Sequence, residues 1–402
     1  MIHRARTSPW SLAALLAFAC CFAAVGTPAH ATPAAVASPA ASAGGDAPSA
    51  HAAAPAQKRK KRHHARKAAA SVRDDDAQDS FVYGHRDDVS AFAAQVAADR
   101  GLDRDWVAAQ LAGARYEPSV ARLIMPARAG TAKNYAAYRA RFVEPRRIAE
   151  GVQWWQAHAR ELDAAQRQWG VPPEIVAAIV GVETFYGRLV GHYRVLDALS
   201  TLSFDFPHGR SDRSAFYREQ LGDFLVWCAL ENRAPDSVRG SFAGAIGWPQ
   251  FMPSALLRNA VDFDHDGHVD LASGGADVVG SVASYLADYG WQRGVPTTFA
   301  VQAPADPRAR AQLLASDIVP RFTAPQMLEL GAQLPQAARE YTGPLALVEL
   351  QNGDAPPSDV AGTANFYVIT RYNWSSYYAM TVIDLAAALK REMPSEATAS
   401  AR

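Results

Sequence analysis

Beyond residue 80, hydrophobic positions recur at helical spacing through most of the chain. Residues 87–112 (DDVSAFAAQVAADRGLDRDWVAAQLA) hold two apolar-periodic segments separated by Gly101, with Asp103 placed to cap the second. The same periodicity predicts helices around 135–142, over 145–169 as one long element carrying Trp154 and Trp155, over 195–202, 214–231 and 277–290, and over 375–391. One stretch breaks the amphipathic rule. Residues 171–187, VPPEIVAAIVGVETFYG, open on a proline pair suited to a first helical turn and then run apolar on every face to Val182. Such a helix belongs inside a core. Between 296 and 370 the texture changes again: TTFAVQ, ALVELQ and NFYVIT read as short strands divided by Pro, Gly and Asp turns. The expected fold class is mainly α, with a small β-rich lobe ahead of the last helix.

Glu183 is the single ionisable residue set into the far end of that apolar run, just before a Thr-Phe-Tyr-Gly break. Desolvation disfavours a charged carboxylate and raises its pKa, and a Glu held protonated near neutral pH is what acid-catalysed glycosidic cleavage requires. The competing reading is a Glu that turns to solvent or pairs with Arg188.

The pattern disappears before residue 80. A basic start, an apolar run over 11–25 and Ala29-His30-Ala31 make residues 1–31 a secretory signal peptide, and hence predict export to the periplasm. Cys20 and Cys21 raise an outer-membrane lipoprotein as the alternative, although Ala17-Phe18-Ala19 is a poor lipobox. Residues 32–80 are rich in Ala and Pro and then carry KRKKRHHARK over 58–67; they lack the apolar content for a core and read as a disordered linker, as does the tail 393–402. With the signal removed, Cys228 is the remaining cysteine, so an internal disulfide is excluded. Of 40 basic and 40 acidic residues, positions 1–80 hold 10 and 5, leaving the part from Phe81 onward about five charges negative. That balance excludes a general nucleic-acid footprint.

Two further segments carry chemistry. Over 240–254, GSFAGAIGWPQFMPS, small residues permit close backbone approach, while Trp248, Gln250, Phe251 and Met252 offer flat apolar surface with an amide among it. This suits a sugar ring, or else a tight helix-packing turn. Residues 262–270, DFDHDGHVD, place oxygen donors at positions 1, 3 and 5, Gly at 6 and Asp at 9, as in the calcium loop of an EF-hand. Position 12 is Ser273 rather than Glu, and Asp277 is the carboxylate that would close a longer loop. Tyr138, Tyr372, Asn373 and Tyr378 are candidate groove residues, with ordinary packing as the alternative.

Taken together, PPEIVAAIVGVETFYG, LDALSTLSF, GSFAGAIGWPQFMPS, the Asp-rich loop, DVVGSVASYLADYGW and FYVITRYNWSSYYAM resemble the B-type lytic murein transglycosylases, glycoside hydrolase family 103, in the family's order from Tyr138 to Met380. The resemblance implies a transglycosylase region over 81–392: a lysozyme-like helical core at about 145–292, a flanking helical region, an EF-hand-like loop, a β-rich insertion at about 296–370 and a terminal helix over 375–391. It implies Glu183 as the single catalytic acid, groove residues Ser241, Gln250, Tyr285, Tyr372, Asn373 and Tyr378, and Tyr138 as an aromatic wall. It also implies a structural calcium on Asp262, Asp264, Asp266, the His268 backbone carbonyl and Asp277, and no organic cofactor. Two positions depart from the family. One extra residue lies between Asp262 and Asp277, where Gly274-Gly275 replaces a bulkier stretch, and Trp374 stands where a small polar residue or His is common. The implied activity is cleavage of the β-1,4 bond between N-acetylmuramic acid and N-acetylglucosamine with formation of a 1,6-anhydro product, by a monomer whose partners are peptidoglycan strands and other cell-wall enzymes. A hydrolytic muramidase using Asp205 or Asp223 as second carboxylate, a non-catalytic peptidoglycan-binding protein and a calcium-switched enzyme are the rivals.

Overall fold

The computed structural model describes residues 80–84, 86–125 and 133–394. The expected signal peptide, the linker up to residue 79 and the tail from 395 lie outside the described residues. Among the described residues no helix is long and apolar enough to cross a membrane.

The chain enters through α1 (Asp87–Arg100) and α2 (Arg104–Ala112), turned by a left-handed Gly101 and started by Asp103, whose carboxylate accepts from the Trp106 N–H at 2.7 Å. Two short helices follow, α3 (Pro118–Leu123) and α4 (Tyr135–Arg139). The long helix expected over 145–169 is two elements, α5 (Pro145–Ala157) and α6 (Ala159–Trp169). His158 leaves helical geometry at φ −117°, ψ 25°, with its ring against Trp154, and ends one helix while starting the next. The spacing is helical on both sides, so periodicity alone concealed the break.

Helix α7 (Pro173–Thr184) is the axis of the main core. It packs against α5, α6 and two helices further along the chain, and Val176, Ile179 and Val180 are wholly buried. At about 2 kcal/mol for each buried aliphatic side chain, those three contribute roughly 6 kcal/mol of transfer free energy. Gly181 and Gly151 are both under the ring of Tyr186, where an added Cβ would lie 2.5 and 2.1 Å from its hydroxyl oxygen. These glycines let the turn after α7 fold back over its own helix.

Strand β1 (Tyr193–Arg194) leads into α8 (Val195–Phe204), which packs on α9 (Ser214–Leu230). Strand β2 (Arg239–Gly240) pairs antiparallel with β1, Tyr193 opposite Gly240, and so brings residues 241–252 alongside the loop that leaves α7. Helices α10 (Pro253–Asn259) and α11 (Ala276–Asp288) flank the Asp-rich loop.

The lobe beyond α11 has its own small core, built on Leu313, Met327, Leu334, Leu345, Leu347 and Ala361. It comprises β3 (Thr298–Ala300), three short helices α12 (Pro307–Leu314), α13 (Ala324–Glu329) and α14 (Gln336–Glu340), then β4 (Ala346–Asn352) and β5 (Ala355–Gly362), in sheet order β3-β5-β4. The lobe is therefore mixed rather than β-rich. Its third strand is APPSDVAG, and the run NFYVIT, expected as a strand, lies in helix α15 (Ala364–Tyr372). The less buried positions there, Ala364, Tyr367 and Arg371, recur at helical spacing, with the rest of the helix buried, and the Thr363 hydroxyl caps the start by accepting from the Asn365 N–H. Pro356 and Pro357 are tolerated because β3 reaches only to Val360, leaving that end of β5 paired on one side. Helix α16 (Ser376–Glu392) then returns to cover α5 and α7.

Candidate active site

Glu183 occupies the last turn of α7, and the chain leaves that helix through three successive left-handed residues: Phe185 (φ 51°), Tyr186 (φ 53°) and Gly187 (φ 83°). For Phe185 and Tyr186 this costs about 1–2 kcal/mol each, which the burial of the turn offsets. The Thr184 hydroxyl fixes it, donating to the Trp248 carbonyl at 3.1 Å and accepting from the Gly187 N–H at 3.2 Å. Trp248 lies against both Gly187 and Gly274, where an added Cβ would fall 2.1 and 2.4 Å from its ring. One indole thus joins the turn beside the acid to the 241–252 wall and to the end of the Asp-rich loop.

The turn opens onto a groove of about 570 Å³ in which Glu183 is the one carboxylate among the lining residues. Ser241, Phe242 and Gln250 form one wall; Tyr138, Asn373 and Tyr378 also face it. Glu183 is half-buried, and the Tyr378 hydroxyl donates to its Oε1 at 2.6 Å. Burial pushes its pKa up to about 7, against the opposing pull of the Tyr378 hydrogen bond, which favours the ionised form. The pairing with Arg188 considered from sequence does not occur: Arg188 bonds Glu150 instead. Nor do Asp205 and Asp223 reach the groove. Asp205 holds Tyr83 and Arg86, and Asp223 is paired with Arg100 at 2.8 Å.

Polarity along the Ser241–Gln250 wall is set by the backbone. Both N–H groups of the Gln250 amide are engaged, with the Gly247 carbonyl at 2.8 Å and the Val190 carbonyl at 3.2 Å. The Ser241 oxygen accepts from the Ala245 and Ala243 N–H groups at 3.0 and 3.3 Å. Gln250 can therefore offer the groove an acceptor, and Ser241 a donor.

Tyr285 and Tyr372, expected in the groove, stand behind it. Their hydroxyls donate to the Arg371 and Pro249 carbonyls, each at 2.7 Å, and their rings pack with Phe251 in a buried aromatic layer beneath Tyr378. They hold the wall against α15 rather than line it. Sequence reading missed Arg147, which lines the groove from the first turn of α5, along with His192 and Tyr193 beside β1. No local motif marks these positions.

At the Asp-rich loop, Asp262, Asp264 and Asp277 bring ligand oxygens within 4.8 Å of one another. Asp277, buried in the first turn of α11, closes the loop by accepting from the Phe263 and Asp270 N–H groups, each at 2.7 Å. Asp264 has its pKa raised by desolvation and then by Asp277 and Asp266. Asp266 stands outside the three: one of its oxygens accepts from the His268 N–H at 2.9 Å.

Residues 84–387 match the family model described as the transglycosylase SLT domain. The chain is 34% identical over 315 residues to the membrane-bound lytic murein transglycosylase B of Escherichia coli, covering 76% of this chain and 84% of that protein. Its structure is similar to the soluble lytic transglycosylase SltB1 of Pseudomonas aeruginosa (TM-score 0.68, 35% identity, 76% of this chain and 98% of that one). It is equally similar to the Escherichia coli lytic transglycosylase Slt35 solved in complex with calcium (TM-score 0.67, 34% identity, 77% and 94%). The mainly helical fold, the single acid at the end of a buried helix and these likenesses agree, and the chain belongs to the SLT-domain family of lytic transglycosylases.

Proposed function

We propose that the protein cleaves the β-1,4 bond between N-acetylmuramic acid and N-acetylglucosamine in peptidoglycan by a lytic, water-independent route. The observation that carries this reading is Glu183, a lone carboxylate of raised pKa in the groove, hydrogen-bonded to Tyr378. Glu183 would donate its proton to the glycosidic oxygen as the bond to the muramic C1 breaks. The resulting carboxylate would take the proton of the C6 hydroxyl as that oxygen closes on C1, giving the 1,6-anhydro sugar and restoring the acid. A hydrolytic route by two carboxylates needs a second Asp or Glu across the bond, and the described groove lining supplies none. The test is mass spectrometry of fragments released from purified peptidoglycan by the protein and by Glu183→Gln. Anhydromuramyl ends that vanish in the variant support the reading; reducing ends would establish a muramidase, and no release would favour a binding protein.

The Asp-rich loop would hold a structural calcium on Asp262, Asp264 and Asp277. Three convergent carboxylates repel without a cation, and an all-oxygen donor set suits calcium. The Slt35 relative solved with calcium supports the assignment. Export to the periplasm, where peptidoglycan lies, completes the proposal.

A further inference from the structure

Arg147 is 7% exposed and lines the groove, yet no carboxylate pairs with it among the described residues. Its guanidinium is stacked 4.4 Å from the Phe185 ring centre and 5.0 Å from that of Phe142. Nη1 donates to the Arg141 carbonyl at 2.8 Å, while the buried Nε has no acceptor. The nearby acids are spent elsewhere. Glu144 caps α5 by accepting from the Arg146 and Arg147 N–H groups, and Glu150 is shared between Arg146 and Arg188. Three guanidiniums, those of Arg146, Arg147 and Arg188, thus surround the single Phe185 ring.

A buried cation with no carboxylate in direct contact is costly: burial disfavours the Arg147 charge, and Glu144 and Glu150 oppose that only at a distance. Here the unpaired cation sits in the wall of a groove whose one carboxylate, Glu183, is bonded to Tyr378 instead. We infer that Arg147, with Arg188 at the rim, forms a subsite for a carboxylate carried by the substrate. Resting on the proposed glycan substrate, the subsite has two sources of that carboxylate: the lactyl group of a muramyl residue without peptide, or an acidic residue of its stem peptide. A guanidinium held beside two aromatic rings brings a fixed positive charge to either.

The test uses the full chain carrying Glu183→Gln, which binds without turnover, and calorimetric titration with soluble murein oligosaccharides. The ligands are the peptide-free form, the peptide-bearing form, and each with its carboxyls amidated. Amidation is expected to weaken binding by about 10- to 100-fold, the worth of one charge-assisted contact. The form that suffers identifies the source. Adding Arg147→Met should remove that preference by weakening the native ligand far more than the amidated one, whereas a merely structural role would weaken both equally. The comparison of ligands stands without any change at Arg147, and Arg147→Lys, which keeps charge but loses the guanidinium, should fall between. Equal affinity for native and amidated forms overturns the inference alone. No binding of any form overturns it together with the glycan reading.

Discussion

Replacing Glu183 by Gln should alter stability in a pH-dependent way, because the folded protein holds this carboxyl at a pKa of about 7 against an ordinary 4.5. Below pH 4.5 the group is protonated in both states and costs nothing. As pH rises from 4.5 towards 7, the unfolded chain releases the proton and the folded protein keeps it, so stability falls. Above 7 the loss is constant. A gap of that size, at about 1.4 kcal/mol per pH unit, corresponds to about 3 kcal/mol. Gln cannot ionise and escapes the loss. Urea unfolding of both proteins at pH 4, 6 and 8, on chain starting at residue 80, should show the variant gaining on the wild type across that window by up to about 3 kcal/mol. Any change in the Tyr378 hydrogen bond adds an offset that is the same at every pH. A difference that stays flat from pH 4 to pH 8 would show that Glu183 titrates as an ordinary surface Glu, and the general-acid argument would go with it.

Turnover should follow the same proton: kcat/KM on soluble murein fragments falls as pH passes about 7, and a limb placed near 4.5 instead would refute the link. Tyr378→Phe deletes the bond that pulls the Glu183 pKa down, so the falling limb should move to higher pH by about one unit; an unmoved limb with lower kcat would mean that Tyr378 serves only to position. Gly187→Ala forces a side chain onto a residue at φ 83° and drives a Cβ into Trp248, with an expected loss of about 2–3 kcal/mol in unfolding free energy and a large drop in activity. Calcium should raise the melting temperature of the wild type by several degrees, and Asp264→Asn should blunt that gain; a melting curve indifferent to calcium and to chelator would refute the metal site.

The place of Glu183 in the groove was legible because an ionisable residue inside an apolar helix is a physical contradiction that sequence displays directly. The Asp-rich loop stood out as a candidate for a similar reason, since alternating carboxylates repel one another. The long helix over 145–169 and the strand NFYVIT were misread because a continuous apolar or periodic run does not reveal a one-residue break at His158, or separate a short helix from a short strand. Tyr285 and Tyr372 were placed in the groove because a tyrosine's role depends on where its hydroxyl ends, and theirs end on backbone carbonyls far along the chain. Arg147 stayed invisible for the opposite reason. In sequence it is one of two adjacent arginines in a polar first turn, and only folding reveals that its neighbour finds a carboxylate and it does not.

The commitment of the Gln250 amide to two carbonyls bears on inhibitor design. With both N–H groups spent inside the protein, an inhibitor cannot be gripped there through an oxyanion, a sulfonate or a bare carbonyl. Chemists seeking affinity at this wall would do better with a hydroxyl or an amide N–H opposite Gln250 and a lone pair opposite Ser241. An acetamido group, which carries one of each, fits that order in one orientation and is turned away in the other.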